Sequence, residues 1–218
     1  MKSYTDTSSS LISKAFLRTA DHDRPDPLFM HFMAYQDPKI MISASLMERR
    51  MSVILIAIAV ELGSPSLKVS ISTLAIFMKS RRHRVIGTIQ ELAGRGFMSV
   101  HEIDGDALCL DLSTDVVSSD VCTVDVNALR ILTTSRAIPL AIRILTGNPI
   151  PSMNLATAAV MIGLSASTRP AIVMQELRLA SAEIMKSPGL GIGGLAIEKQ
   201  GGMVEVSYDV SARVGELS

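Results

Sequence analysis

Lys79, Ser80, Arg81, Arg82, His83 and Arg84 stand in an unbroken row. Three guanidiniums, an ammonium, a hydroxyl and an imidazole so close together form a cluster of donors. Its chemistry is the binding of anions, phosphate above all, and the bidentate pairing of arginine with the two acceptors of guanine. A sparser set recurs later: Ser165, Ser167, Thr168 and Arg169, then Arg178, and finally Lys199 beside Gln200, Gly201 and Gly202. Glycines at that place let a backbone come close to a phosphate chain.

Patterns that would mean catalysis are weak by contrast. His22, His31, His83 and His101 lack metal-ligand spacing, and none sits in a serine or cysteine nucleophile motif. Cys109 and Cys122 form no CxxC pair and have no histidine beside them, so they read as reduced, partly buried thiols. The run Gly189-Leu190-Gly191-Ile192-Gly193-Gly194 lacks the Lys-Ser/Thr of a phosphate loop and precedes a strand pattern instead of opening a helix. It reads as a flexible connector. No enzyme is expected, and no cofactor or metal.

The formal net charge is zero, which argues against a simple polycation that binds any nucleic acid. The charges are unevenly placed, however. Between residues 66 and 99 there are six basic residues (Lys68, Lys79, Arg81, Arg82, Arg84, Arg95) against one acid, Glu91. Between 101 and 126 there are seven acids (Glu102, Asp104, Asp106, Asp111, Asp115, Asp120, Asp125) and no base. One face suits an anionic partner while another is kept away from it. With 48% hydrophobic residues the chain should fold into packed domains, and its 13 Met read as adaptable core filler. The most apolar run, MSVILIAIAV at 51–60, is about half the length a bilayer requires, and no secretory leader pattern is present. A cytoplasmic protein without membrane contact is expected.

The elements that must position the two clusters follow from periodicity and punctuation. Residues 1–27, rich in Ser, Thr and Asp and ending in Pro-Asp-Pro, read as a flexible N-terminal arm. From Ser43 or Ser45 as N-cap a buried helix should run to Leu62 and stop at Gly63. A short helix from about Ser70 then carries Leu74, Ala75 and Met78 inward; Lys79 and Ser80 make a tight turn; a second helix buries Val85, Ile89 and Leu92 and ends at Gly94 and Gly96. Alternating residues on both sides of Asp104-Gly105 predict a hairpin. Helix, turn, helix, hairpin is the order of a winged helix, whose second helix enters the major groove by its N-terminal end. The acidic hairpin tip at Asp104 and Asp106 would be repelled by a phosphate backbone, so it is expected to point elsewhere, into a dimer for example.

The order then recurs. Asn127 and Ser135 are candidate caps for one or two helices within ALRILTTSRAIPLAIRIL, and Gly147-Asn148-Pro149 breaks the chain. Leu155, Ala159 and Ile162 give a helix, residues 163–167 a turn, and Ile172, Leu177 and Ile184 a longer helix that tolerates Pro170 only in its first turn. LAIEKQGGMVEVSYDV reads as two strands. Aligning Ala75 with Ala159 and Leu92 with Leu177 makes the chain an internal duplication of architecture. The expected fold is α+β, mainly helical: winged-helix domain 1 at 28–125 and winged-helix domain 2 at 126–218.

Several stretches resemble the iteron-binding plasmid replication initiators, which have two winged-helix domains. MISASLMERRMSVILIAIAVEL resembles the helix that opens their N-terminal domain, and SRAIPLAIRIL their interdomain helix. NLATAAVMIGL resembles their helix before the turn, VMQELRLASAEI the end of their recognition helix, and IEKQGGMVEVSYDV their final hairpin. The similarity spans roughly residues 40 to 212 as order and pattern. Three departures stand out: the family's C-terminal domain is usually more basic, the aromatic residues expected there are scarce here, and Pro170 sits where Lys or Tyr is common. The resemblance implies a protein that binds direct repeats in double-stranded DNA at an origin, engages host replication proteins, and represses its own promoter as a homodimer through domain 1. Carried over by position, Arg81, Arg82, Arg84, Arg169 and Arg178 would be DNA contacts. A winged-helix transcription regulator and a tandem winged-helix protein-interaction adaptor remain open as rivals. DNA recognition by the first cluster requires its arginines to be free of the neighbouring acidic hairpin.

Overall fold

The computed structural model describes residues 29–35, 38–113, 117–146, 150 and 152–210. The expected arm at 1–27 and the break at Gly147-Asn148-Pro149 lie outside them. Among the described residues the chain is α+β, with seven α-helices, two three-stranded antiparallel sheets and one two-stranded pair.

After β1 (Phe29–Tyr35) and a 3-10 turn (Pro38–Met41) comes α1, Leu46–Leu62. Of the two candidate caps, Ser45 starts it. Its hydroxyl accepts from Glu48 N–H at 3.2 Å while Glu48 accepts from Ser45 N–H at 2.6 Å, a reciprocal capping box. Gly63 closes the helix at φ 60°, a left-handed conformation that favours glycine. Residues 51–58 are all buried, so α1 is enclosed on every side, against β1, the strand that follows it, the second helix of the turn and the start of the second half.

Around α1 the first half builds β2 (Ser66–Ser70), α2 (Ile71–Phe77), α3 (Arg82–Gly94), β3 (Met98–Asp104) and β4 (Ala107–Leu112), with sheet order β2-β4-β3. The hairpin loop is Gly105-Asp106, one residue later than the sequence suggested, because Asp104 pairs with Ala107. Gly105 stands first in that loop with positive φ, 55°. β5 (Val117–Asp125) pairs with β1 and leads into α4 (Val126–Ile131) and α5 (Ala137–Leu145). Asp125, not Asn127, caps α4, and α5 has no side-chain cap, so Ser135 does not serve.

The second half repeats the first: β6 (Met153–Asn154), α6 (Leu155–Met161), α7 (Pro170–Met185), β7 (Ile192–Gln200) and β8 (Met203–Val210), in order β6-β8-β7. The glycine run before β7 is not a loose connector. It forms a 3-10 turn (Pro188–Leu190) and the first residues of β7, and a Cβ on Gly189 would lie 2.9 Å from the Ala128 methyl. Pro170 takes the first helical position, where its missing N–H is harmless. Of the three apolar residues that predict this helix, Leu177 and Ile184 are buried, while Ile172 is 43% exposed and Val173 fills the core beside them.

The two helix–turn–helix units close alike. After α2, Ser80 N–H donates to Ala75 O and Lys79 N–H to Ile76 O; after α6, Leu164 N–H donates to Ala159 O and Gly163 N–H to Val160 O. Both are Schellman closures with the left-handed residue at the same place, Lys79 at φ 46° and Gly163 at φ 73°.

Polar contacts join the halves. Arg49, fully buried, donates to Met41 O at 2.7 Å and lies under Gly163, where a Cβ would come within 2.0 Å of its Nη2. Gly163 O accepts from Ser43 N–H and from Arg136 Nη1, both at 3.0 Å. Arg50 donates to Leu132 O at 2.6 Å, and Arg130 donates to Phe77 O at 2.9 Å while stacking on the Phe77 ring. Arg130 carries a lowered pKa, from burial first and the Arg50 charge second, against which Asp125 acts. Glu183 of α7 accepts from the hydroxyls and N–H groups of Thr133 and Thr134.

Gly163→Ala combines a left-handed backbone with a clash on a buried guanidinium. It is expected to destabilise the protein by at least about 1–3 kcal/mol, the cost of the backbone strain alone, as measured by chemical denaturation.

Candidate nucleic-acid interface

Val85, Ile89 and Leu92 are each fully buried, which fixes the rotation of α3 about its axis and turns the start of the helix to solvent. Arg81 is its N-cap residue and residues 81–84 are all exposed. Lys79, exposed, sits in the turn just before them in a conformation unfavourable for a side-chain-bearing residue, and Ser80 is half-buried. The structure therefore brings together the whole first cluster predicted from sequence.

The six basic residues of that stretch do not have one role. Arg95 is held inside the first half, donating to Glu48 and to Ile42 O at 2.8 Å. Burial pushes the Glu48 carboxyl up, but the Ser45 bonds and the Arg95 guanidinium together outweigh it and hold the carboxyl below its ordinary range. Arg82 is held too: its Nη1 lies 2.6 Å from Asp106 Oδ1, and its Nη2 donates to Gly105 O. The tip of the acidic hairpin therefore folds back on the helix–turn–helix through Gly105 and Asp106. Asp106 also accepts from the Ser70 hydroxyl, from Ser72 N–H at 2.9 Å and from the Ser72 hydroxyl at 2.6 Å, while its carbonyl accepts from Ile71 N–H at 2.8 Å. This one residue clips the hairpin to the starts of α2 and α3.

Arg82 thus meets the condition that would remove it from DNA contact, and Arg81 and Arg84 do not. Among the described residues the side chains of Lys79, Arg81, His83 and Arg84 have no hydrogen bond or ion pair. Four donor-bearing side chains remain free at the helix entrance.

In the second half Ser165, Ser167 and Arg169 are exposed and Thr168 is half-buried before α7, with Ser165 and Ser167 hydroxyls 2.8 Å apart. Arg169 is the N-cap residue of α7 and Arg178 stands two turns in, both exposed and without an ion pair among the described residues; Lys199 is exposed near the tip of the β7–β8 hairpin. The outer face of α7 is more apolar than that of α3: Ile172 and Leu179 are 43% and 51% exposed.

His101 pairs with Asp111 at 2.8 Å and Cys109 is a buried free thiol. Among the described residues no three His, Cys, Asp or Glu side chains gather as metal ligands, and no helix is long and apolar enough to cross a membrane. Sequence reasoning missed the role of Asp106; the available signal was an acid in a two-residue hairpin loop following a helix that starts with arginines.

Comparison with known proteins adds the fold. No protein-family model and no curated protein matches the sequence. Among solved structures, the chain is similar to the Pi initiator protein in complex with iteron DNA, at 13% identity and a TM-score of 0.55, covering 84% of this chain and 98% of that one. At that identity the likeness establishes a shared α+β fold.

The Asp106 carboxyl is held below its ordinary pKa: burial raises it, and the bonds from Ser70, Ser72 and Arg82 outweigh that. A depressed carboxyl contributes stability above its unfolded pKa and loses it as pH falls through the folded value. Asp106→Asn should therefore destabilise the protein at neutral pH, by up to about 1 kcal/mol for so exposed a pair. The difference should shrink as the pH drops below the carboxylate range, read by urea titration at several pH values.

Proposed function

We propose that the chain is two winged-helix domains in tandem, at 28–125 and 126–218, that bind double-stranded DNA. The observation that carries this reading is the exposed, unpaired donor set of Arg81, His83 and Arg84 at the entrance of α3. In a helix-turn-helix the N-terminal end of the second helix meets the base edges, while lysine, serine and backbone N–H groups hold phosphates. Net neutrality is compatible with this, because Arg82 is paired at the surface and Arg95, Arg49 and Arg130 are engaged by groups of the protein, while among the described residues Lys79, Arg81, Arg84 and Arg169 stand unpaired at the two helix entrances. Binding, without chemistry on the nucleic acid, is the proposed activity.

The likeness to a protein solved on iteron DNA supports a finer reading, a plasmid-type replication initiator that binds direct repeats at an origin. Repression of its own promoter, dimerisation through the first domain, contact with host replication proteins and a cytoplasmic location belong to the same proposal. Footprinting distinguishes it from a transcription regulator: several direct repeats favour the initiator, and a single inverted repeat over a promoter favours the regulator.

A protein-interaction adaptor is the second reading, favoured by the exposed Ile172, Leu179 and Met185 of α7. Titration against repeat-bearing duplexes at increasing salt separates the two. A DNA-binding protein should lose affinity steeply through counterion release. Arg81→Ala with Arg84→Ala should weaken binding about ten-fold or more and make the salt dependence shallower. Negligible binding of the unaltered protein at low salt would favour the adaptor.

A further inference from the structure

Arg84 and Arg169 stand at the same register of the duplicated unit, eight residues before Leu92 and Leu177, which are both fully buried. Between them the two helices share a second identity that bears on function. Ile89-Gln90-Glu91-Leu92 in α3 corresponds to Met174-Gln175-Glu176-Leu177 in α7. The flanking Ile89 and Met174 are both buried, so the two glutamines occupy the same angular position on their helices.

That position faces outward. In α3 the buried residues are Val85, Thr88, Ile89 and Leu92, and opposite them at helical spacing lie His83, Gly87 and Gln90. In α7 the buried set includes Val173, Leu177, Ala180 and Ile184, leaving Ile172, Gln175 and Leu179 outermost. Gln90 and Gln175 are both exposed, and neither side chain has a hydrogen-bond partner among the described residues. A carboxamide repeated at the outer midpoint of both second helices, without an internal role in either, faces whatever those helices meet.

Gly87 supports the same conclusion. Glycine in a helix interior is less favourable than alanine, and here no neighbour requires it, since a Cβ would meet nothing within 4 Å. Its bare backbone, one turn before Gln90, lets the helix approach a surface closely. At the corresponding place α7 presents Ile172, an apolar group of the kind that contacts a thymine methyl.

We propose that Gln90 and Gln175 are the base-reading residues of the two halves, each pairing its carboxamide with N6 and N7 of an adenine in the major groove. This rests on the DNA-binding reading above. The arginines at the helix entrances then supply phosphate or guanine contacts, and the bound site contains two half-sites with an A·T pair at equivalent places.

The test is selection of bound duplexes from a randomised pool by the full chain and by its variants. The unaltered protein should select a motif with an A·T pair in each of two half-sites. Gln90→Ala should relax preference at one of these pairs and Gln175→Ala at the other, each with about a ten-fold loss in affinity and an unchanged thermal midpoint. Gln90→Glu should shift the preferred base at its position from adenine towards cytosine, an effect a merely structural glutamine would not produce. Retention of the unaltered motif by all three variants would overturn the assignment while leaving DNA binding intact. If the unaltered protein selected no motif at all, sequence-specific DNA recognition would fall and this inference with it.

Discussion

The rotational setting of two helices governs everything else. Val85, Ile89 and Leu92 lock α3, and Val173, Leu177 and Ile184 lock α7, each against a core from which water is excluded. A turn of one residue about the axis, 100° for an α-helix, would bury the arginines and expose the leucines, and removing several such side chains from the core would cost several kcal/mol. The apolar periodicity therefore does more than build a core: it determines which polar residues face outward.

Charge is distributed on the same principle. Of the cations near α3, Arg95 braces the α1 capping box and Arg82 is held by the hairpin, which leaves Lys79, Arg81 and Arg84 unpaired among the described residues. Arg50 and Arg130 help join the two halves through backbone carbonyls. A protein of zero net charge can in this way keep a locally cationic helix entrance. Asp106 contributes by fixing the hairpin and the starts of α2 and α3 as one unit, although an acid in that place looked from sequence like a source of repulsion. Lys79 adds to the picture, since it holds the left-handed position that Gly163 fills in the other half. Backbone strain of this kind persists where the surroundings enforce it and often marks a functional place.

Much of this was legible in the sequence because it is local. The span of α1, its Ser45 cap and Gly63 stop, the inward residues of α3 and the first-turn place of Pro170 all follow from spacing and capping chemistry within a few residues. Long-range pairing was not. β2 is a five-residue strand recognisable only by its partner β4, and β1 finds its place against β5 across the whole first half. The fold-back of Asp106 onto Arg82 and the burial of Arg49 beneath Gly163 likewise join residues far apart in the chain. Ile172 stands five residues before Leu177, a spacing that carries it off the buried face, whereas Val173, four residues before Leu177, falls on it.

The central claim, that the outer faces of α3 and α7 both lie in the major groove, is tested most directly by proximity. Cysteine introduced at Gln90 or at Gln175 can be challenged with a duplex carrying a thiol tether on a base, placed in either groove of a repeat bound by the protein. Both positions should form disulfide cross-links from the major-groove tether and not from the minor-groove one. Failure of either position to cross-link from the major groove, on DNA that the protein demonstrably binds, would contradict the claim.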